Sequence, residues 1–271
     1  MENKTVIHVW THDVSNSKSD DYNNYWGLGD IIRGTIKLFQ LSQKMGFKLI
    51  VDFQHHPISN FLKKQNHNYE SFIMENKNNI PFIFGDDNEV ENYILKNDDE
   101  NVIFFLTNNK YIEPINESCK IFIKKLLTMN DSFYSFYEEK RKELLFDKYN
   151  ILHFRIGDDE LVRKKYNNNY EKQINIINLL NEEKKYVLVS DSLQFKNNIN
   201  DFLKDKKNIF MFNMDIGHFG YHTDLELLRN TLFEFFLIIH SKKIKSFSVY
   251  PWMSGFVKIA NTIYDVETEL I

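Results

Sequence analysis

Cysteine is almost absent from this chain: Cys119 is the sole thiol in 271 residues. One thiol cannot build an internal disulfide framework, and so sparse a use of cysteine fits a reducing compartment. Long apolar runs are missing too. The longest, 232–239, is interrupted by Glu234 and falls well short of the roughly 20 residues a membrane span needs. The first ten residues carry no basic stretch followed by an apolar core, so no secretion signal is expected. Neither charge sign dominates, with 34 basic and 38 acidic residues giving a net charge of −4. A nucleic-acid partner normally announces itself by a basic stripe, and none is present. These absences predict a cytoplasmic protein with no integral membrane segment. They are silent on oligomeric state.

What the chain has is core material. Hydrophobic residues make up 42% of it, with 24 Phe and 14 Tyr, enough to bury one large domain or two smaller ones. Short apolar, β-rich runs at 5–10, 47–53, 102–106, 151–156, 186–190, 209–212 and 244–250 alternate with segments of helical period at 30–45, 118–129, 170–180, 193–203 and 224–239. Several runs are apolar at every position, as in parallel strands covered on both faces. Thr223 and Glu226 form a capping-box pattern ahead of the last helix. The alternation predicts an α/β architecture with parallel sheets. A charged helix over 132–148 separates the first strands from the rest. It places a division near Tyr149, between halves 1–148 and 149–271 with a cleft between them. Segment 15–24 is polar and reads as a surface loop.

Glycine is scarce, nine residues in all, yet Gly27, Gly29 and Gly34 fall close together in Gly27-Leu28-Gly29-Asp30-Ile31-Ile32-Arg33-Gly34. Glycines at a strand-to-helix turn let backbone approach a ligand, and the helix start favours an anion. The dinucleotide fingerprint needs its third glycine two places earlier, so the pattern does not match it. The alternative is an ordinary tight turn, with Gly34 allowing close helix–sheet contact.

The most specific element is His153-Phe154-Arg155-Ile156-Gly157-Asp158 at the end of a strand. Alternation puts His153 and Arg155 on one face. A buried strand is a costly place for an arginine unless an anion meets it, and the guanidinium fork matches phosphate oxygens. The competing reading is a structural Arg–Asp ion pair at the strand end.

At these residues the sequence resembles the fucosyltransferase superfamily with an H-x-R-x-G-D element, which includes bacterial α-1,2-fucosyltransferases and protein O-fucosyltransferases. The match at His153, Arg155, Gly157 and Asp158 is complete. Gly27-Leu28-Gly29-Asp30 resembles that family's G-L-G-N element, with Asp30 in place of Asn. Ser190-Asp191-Ser192 resembles its S-D segment, and Ser254-Gly255-Phe256 its S-x-F element. The four occur in the family's order. The resemblance implies a GT-B-like fold of two Rossmann-like halves, the first on the acceptor side and the second on the donor side. It implies an inverting transfer, without a metal or other cofactor, from GDP-fucose or a related GDP-sugar to a glycan hydroxyl. Arg155 is then the residue that neutralises the leaving diphosphate, with Ser254 a second contact, and Asp30 is the candidate general base.

Other features carry weaker chemistry. Asp158, Asp159 and Asp191 define a competing reading, a metal-dependent phosphoryl-transfer or hydrolytic enzyme. A module that binds a nucleotide sugar or glycan without catalysis is another. In Asp215-Ile216-Gly217-His218-Phe219-Gly220-Tyr221-His222, the histidines have a helical zinc spacing, but two glycines argue against a helix there. The segment reads as a flexible surface loop or as a loop that closes over a ligand. Cys119 has no base partner and reads as a buried small residue.

Overall fold

A computed structural model of the chain describes residues 4–11, 27–76, 79–86, 88–144, 146–165, 169–221 and 224–271. They divide into two compact units, Met1–Asn130 and Asp131–Ile271.

The first unit runs β1 (Thr5–Val9), α1 (Leu28–Met45), β2 (Lys48–Asp52), α2 (Glu70–Asn76), α3 (Glu89–Lys96), β3 (Val102–Phe105) and α4 (Glu117–Leu126). Its parallel sheet has the order β2-β1-β3. Every residue of β1 is buried, because its alternating side chains enter two separate cores. Val6 packs with Leu38 and Leu41 of α1 and with Val90 and Ile94 of α3. Ile7 and Val9 pack with Ile50 of β2 and Ile73 of α2. Gly34 brings α1 against the chain after β3: a Cβ there would lie 1.8 Å from the Thr107 carbonyl oxygen. The alternative reading of this glycine, close contact between helix and sheet, is therefore the one the structure contains.

The second unit runs α5 (Asp131–Arg141), β4 (Asn150–Arg155), α6 (Asp158–Leu161), α7 (Glu171–Asn178), β5 (Tyr186–Ser190), α8 (Leu193–Leu203), β6 (Ile209–Met211), α9 (Leu225–Ile239), β7 (Lys243–Ser248), α10 (Gly255–Tyr264) and β8 (Glu267–Leu270). All five strands are parallel, in the order β6-β5-β4-β7-β8. Leu152 and Phe154 of β4 and Leu188 of β5 share a core with Ile177, Phe195, Ile199 and Phe247. α9 is buried almost all round, as an apolar helix must be. Inside that packing Lys196 and Glu234 form a buried ion pair at 2.5 Å, and the Lys196 ammonium also donates to the Met214 carbonyl at 3.1 Å.

Several boundaries differ from the sequence reading. The helix expected over 132–148 stops at Arg141. It belongs to the second unit, so the division falls before it, after Asn130. The reason is aromatic packing: Phe133 and Tyr137 meet Phe236 and Phe233 of α9 at 5.9 and 5.6 Å. Asp224 caps α9, accepting from the Glu226 and Leu227 amides at 2.8 and 3.2 Å; the capping-box residue Thr223 and His222 lie outside the described residues, as does the 15–24 loop. β8 was not expected, because Glu267-Thr268-Glu269-Leu270 has no apolar run. It pairs because Lys243 and Lys245 of β7 face Glu267 and Glu269 at 2.7–3.3 Å. Among the described residues, no helix is long and apolar enough to cross a membrane.

Candidate functional site

The strand order of the second unit fixes where a ligand site belongs. The chain steps from β4 through β5 to β6 on one side, then returns to place β7 on the other side of β4. In doubly wound sheets such a reversal opens a crevice outside the carboxyl ends of the strands. Here those ends are in register: Arg155 is opposite Ser248 and Phe154 is opposite Ser190. The residues that follow β4, β5 and β7 therefore share one edge of the sheet.

Arg155 is the centre of that edge. One arm of its guanidinium donates to Asp191 Oδ2 and the other to Asp158 Oδ1 at 2.5 Å. The Asp191 carboxylate also accepts the backbone N–H of Ile156 at 2.6 Å and of Gly157 at 3.0 Å. Tyr250, just past β7, completes the group. Its hydroxyl accepts the Asp158 N–H at 3.0 Å and donates to Asp158 Oδ2 at 3.2 Å. Gly157 turns the chain at φ 122°, a conformation side chains disfavour. A Cβ there would also stand 3.2 Å from the Tyr250 hydroxyl and from Val249 Cγ2. The structural Arg–Asp ion pair anticipated as the competing reading is thus present, and doubled.

Electrostatics follow from burial and pairing. Burial disfavours the Arg155 charge, but Asp191 and Asp158 outweigh it and raise its pKa above the usual arginine value. Burial likewise opposes ionisation of Asp158, yet Arg155, His218 and the Tyr250 hydrogen bond leave its pKa below the usual carboxylate value. A guanidinium carries five N–H donors, and Asp191 and Asp158 take two of them, one on each arm. The Arg155 side chain remains 17% exposed, Asp158 35% and Asp191 8%. Asp191 is therefore the fixed partner and Asp158 the accessible one.

The other predicted residues take different positions. His153 is buried on the face of β4 that also carries Arg155 and bonds Ser246 Oγ of β7 at 3.0 Å; burial, then the nearby Arg155, lowers its pKa to about 3. It is a neutral core residue. Ser190 Oγ accepts the Ser192 N–H at 3.3 Å, and Ser192 caps α8 through the Phe195 N–H at 2.9 Å. Ser254 precedes α10 without a side-chain cap, and Gly255 opens that helix. Phe256 turns towards Phe235 of α9, ring to ring at 5.2 Å. In the first unit, Gly27 precedes α1 and Gly29 lies in its first turn. Asp30 accepts the Gly27 N–H at 3.2 Å and pairs with Arg33 at 3.0 Å.

Asp159 faces Arg163 at 3.1 Å and is 68% exposed, so the three aspartates of the metal reading do not converge. No group of three metal-ligating side chains occurs among the described residues. The 215–221 segment is tied to α9: the Asp215 carbonyl accepts from Asn230 at 3.0 Å, and the Gly217 N–H donates to Thr231 Oγ1 at 2.8 Å. This corrects the flexible-loop expectation for its described part.

Sequence reasoning missed Tyr250 and Glu160. Glu160 of α6 is buried, accepting from Tyr170 at 3.1 Å and from Ser192, so it ties the turn after β4 to the start of α8. Tyr250 was hidden because the expected strand ran through it to 250, whereas β7 ends at Ser248 and its register with β4 brings the tyrosine to the glycine turn.

No known protein-family profile matches the chain, and no curated protein matches it in sequence. Solved structures do match. NodZ α-1,6-fucosyltransferase soaked with GDP-fucose aligns at TM-score 0.57 and 13% identity over 96% of this chain and 92% of that one; the NodZ structures include one from Bradyrhizobium. An Arabidopsis thaliana FUT1 variant with GDP aligns at TM-score 0.61 and 10% identity, covering 98% of this chain and 70% of the other. POFUT1 with GDP aligns at TM-score 0.56 and 9% identity, covering 100% and 98%. At such identities the likeness is one of fold, and that fold is the α/β, GT-B-type arrangement of two Rossmann-like units.

Proposed function

We propose that the chain is a glycosyltransferase that moves fucose from GDP-fucose to a glycan hydroxyl, with inversion and without a catalytic metal. The observation that carries this reading is Arg155, held at the reversal point of a parallel sheet in a fold whose solved examples hold GDP-fucose or GDP. The second unit is then the donor side and the first unit the acceptor side. The single cysteine and balanced charge support a cytoplasmic setting.

In the reaction an acceptor oxygen attacks the anomeric carbon while the bond from that carbon to the diphosphate oxygen breaks. The bonding pair departs on the diphosphate, and charge builds there. A fixed cation and helix-start amides lower the energy of that charge. Arg155 supplies the cation. Asp158, the exposed member of its two carboxylates, yields its place on the guanidinium to a diphosphate oxygen, while Asp191 keeps the fork aimed. Ser254 and the first amides of α10 give a second contact. Gly27 and Gly29 open the helix of the acceptor side, and Asp30 receives the acceptor proton after leaving Arg33.

The deciding experiment is a thermal-shift panel of GDP, UDP, ADP and CMP with their sugars. Selective stabilisation by GDP and GDP-fucose is expected, followed by transfer to a glycan acceptor panel. Absence of stabilisation by any nucleotide would overturn the proposal. Binding without hydrolysis or transfer would replace it with a non-catalytic module, and loss of activity with chelator would remove the metal-independent mechanism.

A further inference from the structure

Tyr250 does more than hold Asp158. Its ring stacks on the indole of Trp252, with centroids 5.0 Å apart and planes 4° from parallel. Pro251 lies between them and fixes one backbone torsion of the link. Tyr250 is itself anchored twice to Asp158 and packed over Gly157. The indole is thus held in a set orientation beside the Arg155 cluster, yet Trp252 is 64% exposed. Isolated exposed apolar residues are ordinary. An exposed tryptophan clamped flat on a ring that belongs to an anion site is not isolated.

We infer that the outer face of Trp252 is the stacking platform for the base of the nucleoside diphosphate. This rests on the proposed function and extends it to the donor's recognition. Arg155 Cζ lies 5.8 Å from the Tyr250 ring centre and the Trp252 indole stacks on that same ring, so an anion-binding group and a flat aromatic surface both border Tyr250. That pairing fits a ligand with a charged group and an aromatic group joined by a spacer. A neutral sugar ring has no use for the charge. Phe256, in the first turn of α10, packs on Phe235, whereas Trp252 turns its outer face to solvent. A flat indole recognises every base through its π-face, with larger overlap for purines. It adds affinity without choosing between guanine and adenine.

The test compares the native chain with Trp252→Phe and Trp252→Ala. Each is titrated with GDP, ADP, UDP, pyrophosphate and methyl α-L-fucopyranoside, reading thermal shift and tryptophan emission together. GDP should quench emission in the native chain and not in Trp252→Phe, with ADP as the weaker-binding comparison. GDP affinity should fall about 5- to 150-fold in Trp252→Ala, the span a stacked base is worth, while pyrophosphate binds both equally. If GDP stabilises the chain without a Trp252-dependent quench, the base sits elsewhere and the inference fails although the proposed function stands. Quenching by the methyl fucoside alone would make Trp252 a glycan platform and also overturn it. If no nucleoside diphosphate produces a thermal shift, the proposed function itself falls. The Trp252→Phe comparison decides the matter even if Trp252→Ala does not fold.

Discussion

Asp191 holds Arg155 from the neighbouring strand and, with the same carboxylate, receives the backbone N–H groups of Ile156 and Gly157. One side chain therefore sets both the direction of the guanidinium and the path of the turn beyond it. Charge-assisted bonds of this kind are about twice as strong as neutral ones.

Replacing Arg155 consequently has two effects. Arg155→Ala removes the preorganised cation, and transfer from GDP-fucose should fall at least a hundredfold, about 3 kcal/mol. It also leaves the buried Asp191 charge without its cation, held only by two backbone N–H groups, so the variant should lose about 3–5 kcal/mol of stability. Steady-state turnover and urea unfolding measure the two. Adding Asp191→Asn should restore part of the stability and none of the turnover; retained turnover in Arg155→Ala would refute the assignment.

Gly157→Ala tests the turn. The left-handed backbone at φ 122°, ψ 168° is open essentially to glycine alone and should cost about 1–3 kcal/mol. The added methyl group presses on Tyr250, so donor affinity should fall in the same variant. An unchanged unfolding midpoint would show that the turn relaxes freely.

How much of this was legible in the sequence depends on distance along the chain. β5 reads directly, because Tyr186-Val187-Leu188-Val189-Ser190 is buried on both faces and apolar at nearly every position. Arg155, Gly157 and Asp158 stand in one short run, and their chemistry could be read there. The partnership of Arg155 with Asp191 could not, because it depends on the register of β4 with β5. His153 misled for a related reason. Alternation put it on the face of Arg155, correctly, but only the pairing with Ser246 of β7 reveals that this face is closed at that level. β8 stayed hidden because its partner row of lysines lies on another strand.

Stability should depend on pH through two buried histidines. Burial lowers His8 from 6.5 to about 3, and burial with Arg155 does the same to His153. The unfolded chain protonates both rings near pH 6.5 while the folded chain keeps them neutral. The unfolded state thus binds more protons below that pH, and stability falls as pH drops from 6.5 towards 3. The slope is about 1.4 kcal/mol per pH unit for each ring. Urea unfolding between pH 7.5 and 5 measures it; a flat profile would contradict the burial argument.

The Lys196–Glu234 pair offers a contrast. Both side chains are almost fully buried, and burial pushes the Glu234 pKa up while Lys196 pulls it down. Lys196→Met alone strands a carboxylate and should cost about 3–5 kcal/mol, whereas Lys196→Met with Glu234→Leu should be close to neutral. Thermal unfolding of the single and double variants distinguishes a specificity device from a net stabiliser.

The bond between Tyr250 and Asp158 joins residues 92 positions apart, and it forms only after β7 has inserted beside β4. A growing polypeptide therefore carries Arg155, Gly157 and Asp158 for a long interval before the tyrosine that steadies them is synthesised. The proposed grip on a diphosphate therefore leans on a contact that a chain lacking β7 could not make.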